Sequence, residues 1–109
     1  GATPITGSAS GTTGAVVGTL TGVAAETTAA CGFDVSALGG TATVGPITIA
    51  GLVGSSMTFQ FSSLAAGNTL SRTFSPCIPA SAVNTNITIT TTADGTASAV
   101  NVNSSGFQQ

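Results

Sequence analysis

Short stretches of this sequence alternate single apolar residues with Thr, Ser, Asn or Gln. Residues 57–62 (MTFQFS) alternate strictly, and residues 83–91 alternate through Ile87 and Ile89. Successive side chains of a strand point to opposite faces, so a period of two predicts strands with one buried face. No stretch sustains the 3.6-residue period of a helix. The pattern predicts an all-β fold.

Turn signals recur roughly every 8–12 residues, which is typical of a sandwich or a small barrel. Gly39-Gly40 marks one turn, and Asp94-Gly95 lies between two alternating runs as the strongest hairpin signal. Residues 1–14 are expected to form a loop. Residues 24–30 are expected to form either a helical turn or the approach to a strand through 31–35. We predict a small antiparallel β-sandwich, Ig-like or pilin-like, with seven or eight short strands and one disulfide.

Charge is almost absent from the 109 residues. One basic residue, Arg72, stands against Glu26, Asp34 and Asp94, and there is no His or Lys. Nucleic-acid binding needs a basic surface, and zinc sites need three or four thiolate, imidazole or carboxylate ligands. No uninterrupted apolar stretch approaches the roughly 20 residues that span a bilayer. We expect no enzyme, catalytic residue, metal, cofactor, nucleic-acid partner or membrane span.

The two cysteines, Cys31 and Cys77, are 46 positions apart. A chain so rich in Thr and Ser and so poor in charge is typical of exported proteins, whose cysteines pair in an oxidising compartment. We predict a Cys31–Cys77 disulfide and an extracellular location at the cell surface. Two buried free thiols are the alternative. Residues 1–4 show no signal peptide, so an exported protein would be the mature form.

Two Asn residues match the acceptor pattern for N-linked sugar, Asn86 in Asn-Ile-Thr and Asn103 in Asn-Ser-Ser. They are candidate glycosylation sites. Glycans, or host and cell surfaces, are therefore candidate partners beside a second copy of the chain.

The sheet edges are expected to lack the protection that charged residues normally give. Natural β proteins guard their edges with Lys, inward charges, Pro or bulges, and this chain has no Lys. We expect copies to associate by β-strand addition, with residues 1–23 as an N-terminal extension and residues 24–109 as the sandwich domain. Within 15–23 both pleat faces are small or apolar, as in a strand buried on both sides or inserted into a groove. The alternative is that 15–23 is simply the first strand of a closed, monomeric sandwich. The candidate donor-strand residues are Ala15, Val16, Val17, Leu20 and Val23.

The Gly-, Thr- and Ala-rich N-terminal segment, Cys31 shortly after it and Cys77 give the chain a layout similar to that of donor-strand-exchange pilins. These include chaperone–usher pilins and thread-like archaeal pili. The resemblance implies a filament subunit completed by a neighbour's strand. In the chaperone–usher group it also implies that the cysteines join the first strand to the second. The donor departs from a row of large residues, since Thr19 and Thr21 separate Val17 from Val23.

Two other functions are compatible with the composition: a secreted monomeric sandwich that binds sugar or an apolar ligand, and a virion surface protein. Sugar sites usually rely on Trp and Tyr, which are absent, so the five Phe residues are expected in the core. Binding to an ice or crystal surface would need a regular Thr repeat, and none is evident. Arg72 is expected to form one ion pair, with Asp34 or Glu26.

Overall fold

The computed structural model describes residues 1–41, 44–62, 67–92 and 99–109, and these residues form two antiparallel sheets without a helix. The described part of the chain contains eight strands, so the predicted all-β sandwich and its strand number are confirmed. The strands are β1 (Thr3–Gly11), β2 (Val17–Leu20), β3 (Thr28–Leu38), β4 (Ile47–Ala50), β5 (Met57–Phe59), β6 (Asn68–Pro79), β7 (Ile87–Thr90) and β8 (Ala99–Gln108).

Sheet A has the strand order β1-β8-β3-β6, and sheet B has the order β2-β7-β4-β5. Every pairing in both sheets is antiparallel. Sheet A contains the long strands and sheet B the short ones, and the described chain extends over 43 × 20 × 18 Å. Each sheet has four strands, so its two edge strands run in opposite directions.

The core lies between the sheets and is built from the inward residues of the alternating segments. Sheet B contributes Ile47, Ile49, Ile87 and Ile89, all fully buried. Burial of one such side chain stabilises the fold by roughly 1.5–3 kcal/mol. Branched aliphatic residues fit this position because they pack well on a pleated surface. The other fully buried large apolar side chains are Leu20, Val35, Val44, Val100 and Val102.

The predicted phenylalanine core is largely present. Phe33 and Phe61 are buried, and Phe59 and Phe74 pack against the core from partly exposed positions. Phe33 contacts both of these rings, with centroid distances of 5.5 Å to Phe59 and 6.1 Å to Phe74. The rings therefore join β3, β5 and β6 at one side of the sandwich.

The predicted hairpin at Asp94-Gly95 is not formed by its flanking strands. The turn residues lie outside the described part of the chain, but β7 belongs to sheet B and β8 to sheet A. The connection therefore crosses between sheets. An Asp-Gly pair predicts a turn. Whether the two flanking strands pair with each other depends on which sheet contains each of them.

The loop predicted for residues 1–14 is also wrong, because residues 3–11 form β1. Small polar residues make a weak strand signal by themselves, and here the pairing with β8 over nine residues supplies the order. The strand predicted through 31–35 is confirmed as part of β3, which begins at Thr28, and no helical turn forms over 24–30. Gly39 and Gly40 both have positive φ, which agrees with the predicted turn.

The disulfide between Cys31 and Cys77 is confirmed, with a Cα–Cα distance of 4.3 Å. It joins β3 to β6, two neighbours within sheet A. The pairing of the first strand with the second, which the pilin resemblance implies, is therefore not found. Gly32 follows Cys31 at an irregularity in the register of β3.

Removal of this disulfide should destabilise the chain strongly. The double variant Cys31→Ala/Cys77→Ala removes the link between two residues 46 positions apart, so the unfolded chain gains conformational entropy. The free energy of unfolding should fall by about 3–4.5 kcal/mol. Urea denaturation followed by circular dichroism measures the change. A loss below 1 kcal/mol would show that the unfolded chain gains little freedom from the missing link.

Candidate functional site

The N-terminal segment forms one whole side of the sandwich. β1 is the edge strand of sheet A, and β2 is the edge strand of sheet B. The two strands are stacked on each other, and the exposed residues 12–15 connect them. On the opposite side lie β6 and β5, linked through Arg72 and Phe59. The segment completes both sheets of its own chain.

The residues predicted as a donor strand occupy three different environments. Leu20 is fully buried and Val16 is 4% exposed, so both belong to the core. Val17 and Val23 are 47% and 36% exposed, and Ala15 is exposed in the connection. The expected burial on both faces is therefore not found: one face of β2 packs inward, and the other faces outward.

A glycine allows the two N-terminal strands to approach each other. A Cβ atom at Gly7 of β1 would overlap the backbone carbonyl oxygen of Thr19 in β2 and would lie 3.0 Å from Ser104 Oγ. Gly11 is similarly restricted, since its Cβ would lie 2.9 Å from Val16 Cγ2. The outer edge of β2 is therefore partly covered by β1.

The direction of the peptide groups in β1 follows from the hydrogen bonds of β8. Thr27 and Gln109 exchange both of their backbone hydrogen bonds, so the peptide groups of Gln109 face β3. Alternate residues of a strand direct these groups to opposite neighbours. The even-numbered residues of β8 therefore face β1, where they pair with odd-numbered residues such as Gly7.

The even-numbered residues of β1 direct their peptide groups away from β8. These residues are Pro4, Thr6, Ser8 and Ser10. No described strand pairs with them on that side. Pro4, which has no N–H group to offer, occupies one of these outward positions. β1 thus presents a free hydrogen-bonding edge without a charged side chain.

The same alternation identifies the free edge of β6. Phe33 and Val35 face β6 and pair with Arg72 and Leu70, so Thr69, Ser71 and Thr73 direct their peptide groups away from the sheet. Two local side chains bond to these groups. Asn68 Oδ1 accepts from the Thr69 N–H at 2.9 Å, and Arg72 Nη1 donates to the Ser71 carbonyl at 2.9 Å.

Arg72 does not form the predicted ion pair. Its side chain is on the face of β6 opposite to that of Ser71, whereas Asp34 shares the outer face with Ser71, and no ion pair joins Arg72 to Asp34 or Glu26. Its guanidinium carbon lies 5.4 Å from the centroid of the Phe59 ring. The aromatic face and the Ser71 carbonyl together hold this cation at the edge of sheet A.

Polar rows run across the strands on the outer face of sheet A, and side-chain hydrogen bonds join the members of one of them. In the central row Ser8 Oγ donates to Asn103 Oδ1 at 2.9 Å, and Asn103 Nδ2 donates to Asp34 Oδ1 at 3.1 Å. The glycosylation candidate Asn103 is thus exposed in the middle of this face. The second candidate, Asn86, is exposed before β7 and accepts a hydrogen bond from the Gly22 N–H at 2.8 Å.

The described residues contain no group of three or more His, Cys, Asp or Glu side chains that could hold a metal ion. They also contain no helix, and so none that is long and apolar enough to cross a membrane. A shallow, open depression of about 430 Å³ lies beside Gly32 and is bordered by Asp34, Ser71 and Asn103.

Comparison with protein-family models, with curated proteins and with solved structures finds no match for this chain.

Sequence reasoning placed the candidate donor strand within 1–23, at residues of 15–23, and did not single out Thr6, Ser8 and Ser10 of the β1 edge. Their signal is present in the sequence, because they alternate with Ile5, Gly7 and Ala9. It is weak because only Ile5 is a large apolar residue.

The close approach of β1 to β2 gives a direct test of this side of the sandwich. Gly7→Ala should lower the free energy of unfolding by about 1–3 kcal/mol, since the new methyl group meets backbone that has little room to move. Gly14→Ala is the matched control, because a Cβ there meets nothing within 4 Å. Urea denaturation compares the two variants, and equal stability would contradict the packing of β1 on Thr19.

Proposed function

We propose that this protein is the structural subunit of an extracellular filament or pilus, in which copies join by β-strand addition of the N-terminal segment. The observation that carries the proposal is the free edge of β1. The nine residues of β1 carry no charge and form one edge of sheet A, and the peptide groups of Thr6, Ser8 and Ser10 face outward from it. An extended strand of a second copy is the natural partner for such groups.

The composition supports association rather than solitary existence. A net charge of −2 from so few charged residues gives weak repulsion between copies. An edge strand of a stable monomer normally carries Lys, an inward charge or a bulge. β1 has only Pro4, near its beginning, and the register of β1 with β8 is uninterrupted.

We place the adding strand at Thr3–Gly11 rather than at 15–23. Val16 and Leu20 are needed in the core, and Gly7 packs against the outer edge of β2 at Thr19. The edge of β1 is longer and has no such neighbour among the described residues. The disulfide joins β3 to β6, so it holds these two strands of sheet A together without involving β1.

The proposal includes export and surface modification. A disulfide in a small all-β chain is compatible with an extracellular location. Asn86 and Asn103 are exposed, and the hydroxyl residues of their acceptor patterns, Thr88 and Ser105, follow two residues later in the chain. A glycan at Asn103 would hydrate the outer face of sheet A.

Electron microscopy of the purified full chain at high concentration tests the proposal. We expect thin, uniform filaments from the natural sequence. Ser8→Pro should abolish them, because proline removes the outward N–H group and projects its ring from the free edge. Ser8→Ala removes only the hydroxyl group and should still assemble.

Thermal melting establishes that both variants are folded before they are compared. Monodisperse 10.3 kDa particles from the natural sequence at every concentration would contradict the filament and favour the monomeric binding module.

A further inference from the structure

The two edges of sheet A are oriented for head-to-tail addition. Three antiparallel pairings separate β1 from β6, so these strands run in opposite directions within one chain. When a second copy is placed beside the first in the same orientation, its β1 lies antiparallel to the first copy's β6. No inversion of the second copy is needed.

The registers of the two edges also match. One row across the sheet runs through Ser8, Asn103, Asp34 and Ser71. Ser8 and Ser71 therefore lie at the same position along the strand direction. By the same pairings Thr6 lies level with Thr73, and Ser10 lies level with Thr69.

All six of these edge residues direct their peptide groups outward from the sheet. Each of the three aligned pairs can therefore exchange two backbone hydrogen bonds, as opposed residues do in antiparallel sheets.

The side chains are complementary in size at this alignment. On the inner face, Gly7 would oppose Arg72, and Ala9 would oppose Leu70. Small residues of β1 thus meet large residues of β6. On the outer face the paired residues are all exposed Ser or Thr, so the polar rows would continue from one copy to the next.

We propose that β6 of the neighbouring copy is the acceptor of β1, with Thr6, Ser8 and Ser10 paired to the neighbour's Thr73, Ser71 and Thr69. This inference rests on the proposed function and names the partner surface of the same site. The contact joins two different edges, so it does not close on itself as a twofold dimer would, and it extends into an open filament.

The arrangement determines the dimensions of the filament. Each copy adds four strands to a continuous sheet, so the subunit rise is about 19 Å at roughly 4.8 Å per strand. The strands run across the filament axis. The natural twist of the sheet turns successive copies about this axis.

Cysteine cross-linking of the full chain tests the acceptor. Within one chain the positions of Ser8 and Ser71 are three strand spacings apart, about 14 Å, so a disulfide between them must join two copies. The variant Ser8→Cys/Ser71→Cys should give a ladder of covalent oligomers on a non-reducing gel. In the matched control Ser8→Cys/Asn103→Cys the two cysteines lie opposite each other within one chain, so this variant should run as a monomer on the same gel.

The controls separate the competing contacts. Covalent dimers from Ser8→Cys alone would show that β1 pairs with β1. A ladder from the Asn103 control would show that β1 is exchanged between copies. Either result, or filaments without the Ser71 ladder, overturns the inference while leaving the filament intact, whereas absence of filaments from the natural chain refutes the proposed function itself.

Arg72 provides a second test, because it bonds to the Ser71 carbonyl that Ser8 would use. Arg72→Met keeps an apolar side chain against Phe59 but cannot donate this hydrogen bond, so light scattering should show assembly several-fold faster than that of the natural chain. Adding Thr73→Pro, which blocks the edge of β6, should remove the gain. An unchanged rate for Arg72→Met, or a gain that survives Thr73→Pro, contradicts the use of β6.

Discussion

The backbone peptide groups of the edge strands impose the main constraint on sheet A. Every N–H and C=O group needs a partner, and the inner strands of sheet A satisfy theirs through neighbours on both sides. β1 and β6 each have one neighbour, so their outward groups must bond to water, to a side chain or to a second copy of the chain. How the chain treats these outward groups decides whether it stays alone or associates.

The two edges are treated differently. At β6, Asn68 and Arg72 bond to outward groups of Thr69 and Ser71, and the chain's one arginine is used there. At β1 only Pro4 interrupts the row of outward donors. This asymmetry suits a head-to-tail contact, in which an open edge approaches an edge that is covered until the partner arrives.

The polar outer face gives sheet A a second role besides holding the core. Ser8, Asn103 and Asp34 form a hydrogen-bonded row across three strands, so the face is wettable with a single carboxylate. Water can therefore hydrate the flat side of the sheet while the edges remain free of charge. Hydroxyl and amide groups thus take the place of ionic groups on this face.

The sequence by itself determined the all-β class, the approximate number of strands and the disulfide. The period of two and the regular turn signals are local patterns, and the disulfide follows from the composition and the presence of two cysteines. The sequence identified residues 57–62 and 83–91 as alternating, yet the strands there cover only Met57–Phe59 and Ile87–Thr90, whereas the weakly patterned residues 3–11 form a strand of nine. Only the tertiary structure decided this, since pairing with β8 orders small residues that have little propensity of their own.

The tertiary structure also placed β7 and β8 in different sheets and separated Arg72 from Asp34 on opposite faces of sheet A. It brought Ser8 and Ser71 to one height at opposite edges. These relations depend on strand order, which arises from the way all the apolar faces share one core, and no local pattern encodes it.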